Sequence, residues 1–335
     1  VSMKRWGAIV IKILVLLLVL AVAAWGALAL QFQLSAGLGR WLALAGWVAV
    51  AGLSLYALSK GKNWLFAPQA LGFLVLVVWW SSIAPSNDRE WAPDVARMSY
   101  GEVNGSVVTL HNVRDFNWRS ETDFDEHWIS QDYDLQTLKS VDMFLSYWMG
   151  PVIAHTLVSF GFEDGRHVVF SVEIRKEKHE AFSAIGGFFK EFELSLIAAT
   201  EQDIVRTRSN VRGEDVYMYS VELAKPAMQA LFLSYVEQGQ QLQTTPRFYN
   251  TLTANCTTIV YDMVSRIVDG IPWDWRVLAS GYLAEYVYGL NALAPGHSFQ
   301  ELKQLGYINP RALSQQEGQD FSALIRQDLP LVKPF

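Results

Sequence analysis

Cysteine is almost missing from this chain: 335 residues contain one, Cys256. No intrachain disulfide can form, whatever the redox state of the compartment. Acidic residues are missing from one region. Residues 1–83 hold Lys4, Arg5, Lys12, Arg40, Lys60 and Lys62 and no Asp or Glu. That segment carries about +6 and the remainder about −12, within a net charge of −6. An acidic remainder argues against a nucleic-acid partner. No internal repeat or low-complexity tract is visible. His111, His127, His179 and His297 fall in no metal-ligand spacing, so neither a metal nor another cofactor is inferred.

What residues 1–83 do contain is three apolar runs, roughly 13–30, 41–58 and 64–83. Each is about long enough to cross a hydrocarbon core about 30 Å thick. None has the polar face of a helix packed on a soluble core. The first run has an alternative reading as a cleaved signal peptide, because Ala-rich sequence follows its core; two spans would remain. Lys4, Arg5 and Lys12 open the first run, and "SKGKN" (59–63) joins the second to the third. The positive-inside rule therefore puts the N-terminus and that loop in the cytoplasm. Three crossings then deliver the following chain to the outer side. Trp41, Trp64, Trp79 and Trp80 suit membrane interfaces.

The exported part, about 250 residues, is large enough to bury a core. "APSNDREWAPD" (84–94) reads as a linker. "GSVVTLHNV" (105–113), "FELSLIAAT" (192–200) and "DVYMYSVEL" (215–223) read as strands. "LQTLKSVDMFLSYWM" (135–149) has apolar residues at helical spacing and reads as a helix ended by Pro151. "KPAMQALFLSYVEQGQQL" (225–242) reads as a second helix and 256–268 as a third, with Gly270 as its stop. "TEQDIVRTR" (200–208) reads as a solvated charged stretch, and 310–330 as a polar, loosely packed tail. Strands and helices mix without strict alternation, which makes the class α+β. The domain boundaries that follow are 1–83 for the membrane region, 84–95 for the linker, 96–310 for the exported domain and 311–335 for the tail.

"VIAHTLVSFGF" (152–162) and "RHVVFSVEIRKE" (166–177) are β-rich runs around a turn. A two-residue turn at Asp164-Gly165 and a three-residue loop, Glu163-Asp164-Gly165, are both possible. The longer loop sets apolar residues opposite apolar residues; the shorter one mixes the faces. The longer loop is therefore expected. It puts His155 opposite Glu173, with Cβ atoms about 5 Å apart, and Ser171 opposite Leu157. A carboxylate beside an imidazole fixes its tautomer and favours its charged form. Taken alone, the same pair is an ordinary cross-strand contact on a solvated face.

Cys256 lies where "RFYNTLTANCTT" (247–258) gives way to a helical pattern. Asn255 is a good N-cap residue, which puts Cys256 at the first helical position. Backbone N–H groups and the positive end of the helix dipole then favour a thiolate and can hold an oxyanion. A core cysteine would more naturally sit on the apolar stripe of Ile259, Val260, Met263 and Ile267. A thiol at a helix start with a histidine on a strand is a papain-like constellation. With the histidine strand first, the order is that of permuted members of the NlpC/P60 group and of lecithin–retinol acyltransferase-like proteins.

Five ordered motifs carry a wider resemblance: "NVRDFNWRS" (112–120), "YDLQTLKSVD" (133–142), "AHTLVSFGFEDG" (154–165), "FSVEIRKE" (170–177) and "RFYNTLTANCTT" (247–258). Over roughly residues 90–310 the chain resembles the family named after the N-terminal periplasmic domain of the bacterial lipoprotein N-acyltransferase Lnb. The membrane segments precede the domain here, whereas in the namesake they follow it. The resemblance implies a bacterial inner-membrane protein with a periplasmic domain. It also implies Cys/His thiol acyl transfer on a phospholipid or lipoprotein, carried by Cys256 and His155. Glu173 joins them from the strand register.

Asn255, Tyr249, Ser171 and Arg175 are the candidates for oxyanion or substrate contacts. Arg114, Arg119 and Arg175 could meet phosphate or glycerol-ester groups; structural ion pairs are the stronger expectation for Arg114 and Arg119. A peptidoglycan cysteine amidase or endopeptidase would use the same three residues with water as acceptor. A non-catalytic lipid- or lipoprotein-binding domain would need none of them to react.

Overall fold

The computed structural model describes residues 3–332, so residues 1–2 and the last three of the expected tail, 333–335, lie outside the description. The chain falls into two compact units, one formed by the segment ending at Ser86 together with Ser183–Glu191, the other by Asn87–Phe182 and Phe192–Phe335.

The first unit is built from helices α1 (Met3–Gln33), α2 (Leu38–Lys60) and α3 (Ala67–Ser82). All three are long and apolar enough to cross a membrane: Trp6–Gln33, Leu38–Lys60 and Asn63–Ser82. Two of their polar side chains find backbone partners within the unit, as a hydrocarbon surround favours. Trp47 donates its indole N–H to the Ala23 carbonyl at 2.8 Å, and the buried Gln69 amide donates to the Val19 carbonyl at 3.1 Å. Gly26 permits that approach, since a Cβ there would meet the Trp47 ring. The Ser183–Glu191 segment packs within the same unit. Phe189 stacks on Phe32 at 5.8 Å, and Lys190 donates to the Trp80 and Ile83 carbonyls at 2.9 and 3.1 Å.

The second unit is built on one sheet. Its strands in chain order are β1 (Tyr100–Asn104), β2 (Val107–Arg114), β5 (Trp128–Asp134), β6 (Leu138–Tyr147), β7 (His155–Phe162), β8 (His167–Arg175), β9 (Glu193–Ala199) and β10 (Asp215–Val221). Their spatial order is β1-β2-β9-β8-β7-β6-β10, with β5 on β2. A separate ribbon pairs β3 (Asn117–Trp118) with β4 (Phe124–Asp125). β2 meets β9 in parallel at one pair, Arg114 with Ala199, and the other pairings are antiparallel. Helices α5 (Lys225–Thr244) and α6 (Thr258–Ile267) cover one face. There Phe160, Phe170, Phe232 and Tyr235 form a buried aromatic cluster. Each such side chain contributes roughly 1.5–3 kcal/mol by burial. Helices α4 (Glu201–Arg206), α9 (Asn309–Leu313) and α10 (Phe321–Ile325) fill a second core, and α7 (Leu283–Gly289) and α8 (Phe299–Gly306) a third. Three apolar helices followed by a mixed sheet-and-helix domain make the chain α+β.

Three sequence expectations are corrected. The helix expected over 135–149 is strand β6. It pairs on both edges and is covered on both faces: Val141 enters the first core, Phe144 the second, Met143 and Leu145 the third. A strand buried on both sides loses its alternation, and its apolar run then fits a helical spacing by accident.

The charged stretch 200–208 is buried, not solvated. Asp203 receives Arg114 at 2.8 Å, Glu201 receives Arg326 at 2.6 Å, and Arg208 reaches Glu173 at 2.9 Å. Each partner lies far off in sequence, which is why no local pattern shows the pairing.

The tail is packed, not loose. Phe321, Leu324 and Ile325 are buried, and Arg326 also bonds Asp142 at 2.8 Å. Residues 87–94 are likewise docked at the C-terminal end of β8. Ala92 donates its N–H to the Lys176 carbonyl at 3.0 Å, and Trp91 is buried.

Candidate active site

The turn after β7 has the longer-loop register. Leu157 pairs with Ser171 and Phe160 with Val168. Gly165 takes φ +87°, the left-handed position that the loop needs. Continuing that register sets His155 opposite Glu173, and the two side chains meet: His155 Nε2 lies 3.1 Å from Glu173 Oε1. Ser171 lies between them, its Oγ 2.7 Å from His155 Nε2 while donating to Glu173 Oε1 at 2.7 Å. Antiparallel alternation explains the meeting, since residues 171 and 173 share one face of β8 with residue 155 across on β7.

The second half of the site comes from the start of α6. Asn255 Oδ1 accepts the backbone N–H of Thr257 and of Thr258, both at 2.9 Å. Thr258 Oγ1 in turn accepts the Asn255 N–H at 3.0 Å. This reciprocal cap fixes the first turn and sets Cys256 at its opening. Regular helix begins at Thr258, two residues beyond the expected start, although Ile259 already bonds the Asn255 carbonyl. The His155 ring and the Thr156 backbone N–H lie near enough to act electrostatically on the thiol, and Thr257 Oγ1 is 3.8 Å from the sulfur. Cys256 and His155 each retain 8 % exposure, and Cys256 packs at the margin of the aromatic core.

Charge is balanced within the group. Burial opposes the imidazolium, but the Glu173 carboxylate overrides it and raises His155 to about 9. Burial likewise opposes the thiolate, and the His155 charge overrides it, holding Cys256 below an ordinary thiol. Against its own burial, Glu173 is held well below the usual carboxylate range by His155 and Arg208. Each shift favours the charged form of its group: imidazolium, thiolate and carboxylate.

Of the other sequence candidates, Ser171 and Asn255 are at the site as described. The Asn255 carboxamide oxygen is taken by the cap and its Nδ2 donates to the Thr251 carbonyl at 2.8 Å, so it positions the thiol. Tyr249 packs against the same core. Burial raises its hydroxyl, and the nearby Cys256 and Glu173 charges raise it further. Arg175 is not brought to the thiol. Its guanidinium donates to the Val95 and Ala96 carbonyls and to Asn87 and stacks over Trp91 at 4.3 Å, so it fastens the 87–96 segment. It sits two residues beyond Glu173 at the end of β8, where the 87–96 segment takes its long side chain. Arg114 is a buried structural pair, and Arg119 bonds Asp123 and Asp125 on the surface.

Sequence reasoning missed Arg208, in a π-helical turn (Thr207–Val211). It bridges Glu173 at 2.9 Å and Glu214 at 3.3 Å. Glu214 accepts Ser146 Oγ, and Ser146 pairs with His155 across the sheet. No local sequence signal marks this ring of contacts, because its members are scattered over residues 146–214. Among the described residues, no group of three or more His, Cys, Asp and Glu side chains is arranged to hold a metal.

Fold and site define a membrane-anchored α+β protein with a buried thiol–imidazole–carboxylate group in its sheet domain. Residues 124–281 match the family model of the Lnb N-terminal periplasmic domain. The sheet unit is thus a periplasmic domain on a membrane anchor, and the match spans His155, Glu173, Arg208 and Cys256. No curated protein and no solved structure matches the chain.

Proposed function

We propose that this protein is a cysteine-dependent acyltransferase with a permuted papain-like domain, moving an acyl chain to or from lipoproteins at the membrane surface. The observation that carries the reading is the His155 ring held between the Cys256 thiol on one side and Ser171 and Glu173 on the other. His155 Nε2 faces Ser171 and Glu173, which leaves Nδ1 for the thiol.

The Cys256 thiolate attacks the ester carbonyl of a phospholipid or lipoprotein. The Cys256 N–H, which the Asn255 cap leaves free, and Tyr249 are the candidate donors to the oxyanion. As the C–O bond breaks, the His155 imidazolium protonates the leaving alkoxide, and a thioester remains on Cys256. The α-amine of a lipoprotein's terminal cysteine then attacks the thioester. His155 takes the amine proton, the amide forms and the thiolate is regenerated. Glu173 keeps the ring oriented and favours its charged form, which is spent on the alkoxide in the first half and restored by the amine proton in the second. With the N-terminus in the cytoplasm, three crossings put this chemistry on the periplasmic side.

Mass spectrometry of lipoprotein N-termini from cells with and without the protein tests the transfer. N-acylated termini that disappear with Cys256→Ala, together with a hydroxylamine-sensitive acyl adduct on Cys256, are the expected results. Muropeptide cleavage in place of an adduct would reassign the site to peptidoglycan hydrolysis. Full function of Cys256→Ala in cells would reduce the domain to a binding module.

A further inference from the structure

The two loops flanking the His155 strand expose large apolar side chains. The β6–β7 connection, "WMGPVIA" (148–154), runs directly into His155 and contains no charged residue. Trp148, Met149 and Val152 on it are 41 %, 58 % and 46 % exposed. A second loop packs beside it. Gly281 donates its N–H to the Val152 carbonyl at 2.9 Å, and Ser280 Oγ donates to the Ala154 carbonyl at 2.7 Å. A Cβ on Gly281 would collide with the Pro151 carbonyl, so the two loops touch backbone to backbone. That second loop leads with Trp273 and Trp275, 61 % and 57 % exposed, and Trp275 contacts Tyr282 at 5.5 Å. The charge between them, Asp274, is tied to Arg276 by two bonds.

Phe182, 54 % exposed, extends the patch by an edge-on contact with Trp148 at 6.1 Å. It is the last residue before the chain passes into Ser183–Glu191, the segment grouped with the membrane helices. Exposed large apolar side chains gathered on two loops that touch each other mark an interaction site.

We propose that this rim is a membrane-docking surface, whose Trp148, Met149, Val152, Phe182, Trp273 and Trp275 enter the interfacial layer of the bilayer that the chain's own helices span. A lipid interface is the occupant its chemistry fits. Indole rings concentrate at that depth, where an apolar body and a polar N–H are both accommodated. The aliphatic tips and the uncharged loop suit the acyl boundary. The chain is attached to its anchor directly after Phe182, which keeps a bilayer at hand without a diffusional search. This surface rests on the membrane anchor and not on the acyl-transfer reading.

The test is photocrosslinking of the full chain in phospholipid nanodiscs. A benzophenone amino acid replaces Met149, Trp273 or, as a control, Val103. Val103 is 54 % exposed on the β1–β2 hairpin, whose Ser106 carbonyl accepts from Leu135, near the Thr137 carbonyl that accepts from Glu163 of the β7–β8 turn, the far end of β7 from His155. Lipid adducts at positions 149 and 273 several-fold above those at 103 are expected. Combining Trp148→Ser, Trp273→Ser and Trp275→Ser should lower adducts at position 152 several-fold. Equal lipid adducts at all positions, or crosslinks at 149 and 273 to a second copy of the chain, would overturn the proposal. Neither readout depends on catalysis, so failure here leaves the acyltransferase reading standing, and the reverse also holds.

Discussion

Arg208 and His155 share one oxygen: Oε1 of Glu173 lies 2.9 Å from Arg208 Nη2 and 3.1 Å from His155 Nε2. The two cations act on the carboxylate in the same sense, each keeping it ionised. They act on each other in the opposite sense, since the Arg208 charge lowers His155 while Glu173 raises it. Glu173→Gln removes the strongest influence favouring the imidazolium and leaves only Cys256 to oppose burial and Arg208. His155 is then expected to fall from about 9, and the thiolate loses part of its support. Iodoacetamide alkylation of Cys256 at pH 7 is expected to slow about 10- to 100-fold, the span between a paired thiolate and an ordinary thiol. An unchanged rate would show that Glu173 does not govern the pair.

The pH dependence follows from the direction of each shift. His155, raised to about 9, holds its proton below that value and loses it as pH rises through it. Cys256, held below an ordinary thiol, loses its proton earlier. The ion pair therefore occupies the window between the two. Its contribution through His155 to stability is complete below the unfolded value of about 6.5 and is lost through about 9. Acyl-adduct formation is expected to follow a bell whose alkaline limb lies near 9. A limb near 6.5 would indicate an unpaired histidine.

Asn255 should separate the cap from the charge. Asn255→Ala leaves the Thr257 and Thr258 N–H groups without their acceptor and is expected to cost about 1 kcal/mol. Asn255→Asp keeps an acceptor but adds a negative charge beside the sulfur. The Asp variant loses the amide donor to the Thr251 carbonyl, so some loss of thermal stability is expected, but its alkylation should slow more than that of the Ala variant, because a second anion opposes the thiolate. Equal slowing and equal destabilisation in both variants would assign Asn255 a purely structural role.

Arg326 ties the C-terminal helix to the sheet through Glu201 and Asp142. Arg326→Ala strands two buried carboxylates and is expected to cost about 3–5 kcal/mol. Arg326 also keeps Glu201 at about 2 against its burial. Glu201 is lowered, so its contribution is present above the unfolded value of about 4.5 and disappears as pH falls through about 2. Chemical denaturation of wild type and Arg326→Ala at pH 7 and pH 3 measures both effects. A difference under 1 kcal/mol at pH 7 would mean that the tail is not structurally engaged.

The three apolar runs, the β7–β8 register and the capped start of α6 were legible in the sequence because each is a local device. Uninterrupted hydropathy, loop length against side-chain alternation, and an Asn before a helical pattern all act over a few residues. From the register alone His155 and Glu173 could be set opposite each other, but nothing local could bring Cys256, a hundred residues on, to the same ring. That juxtaposition is decided by α5 and α6 packing on the sheet. Tertiary burial also decided what became of the charges. Arg208, Glu201 and Asp203 look solvated beside their neighbours in sequence and are buried only because Glu173, Arg326 and Arg114 arrive from elsewhere. It decided β6 as well, since a strand covered on both faces keeps no alternation by which to be recognised. Sequence determines what one turn or one hairpin can satisfy by itself; pairing between distant charges and distant side chains exists only once the chain has closed on itself.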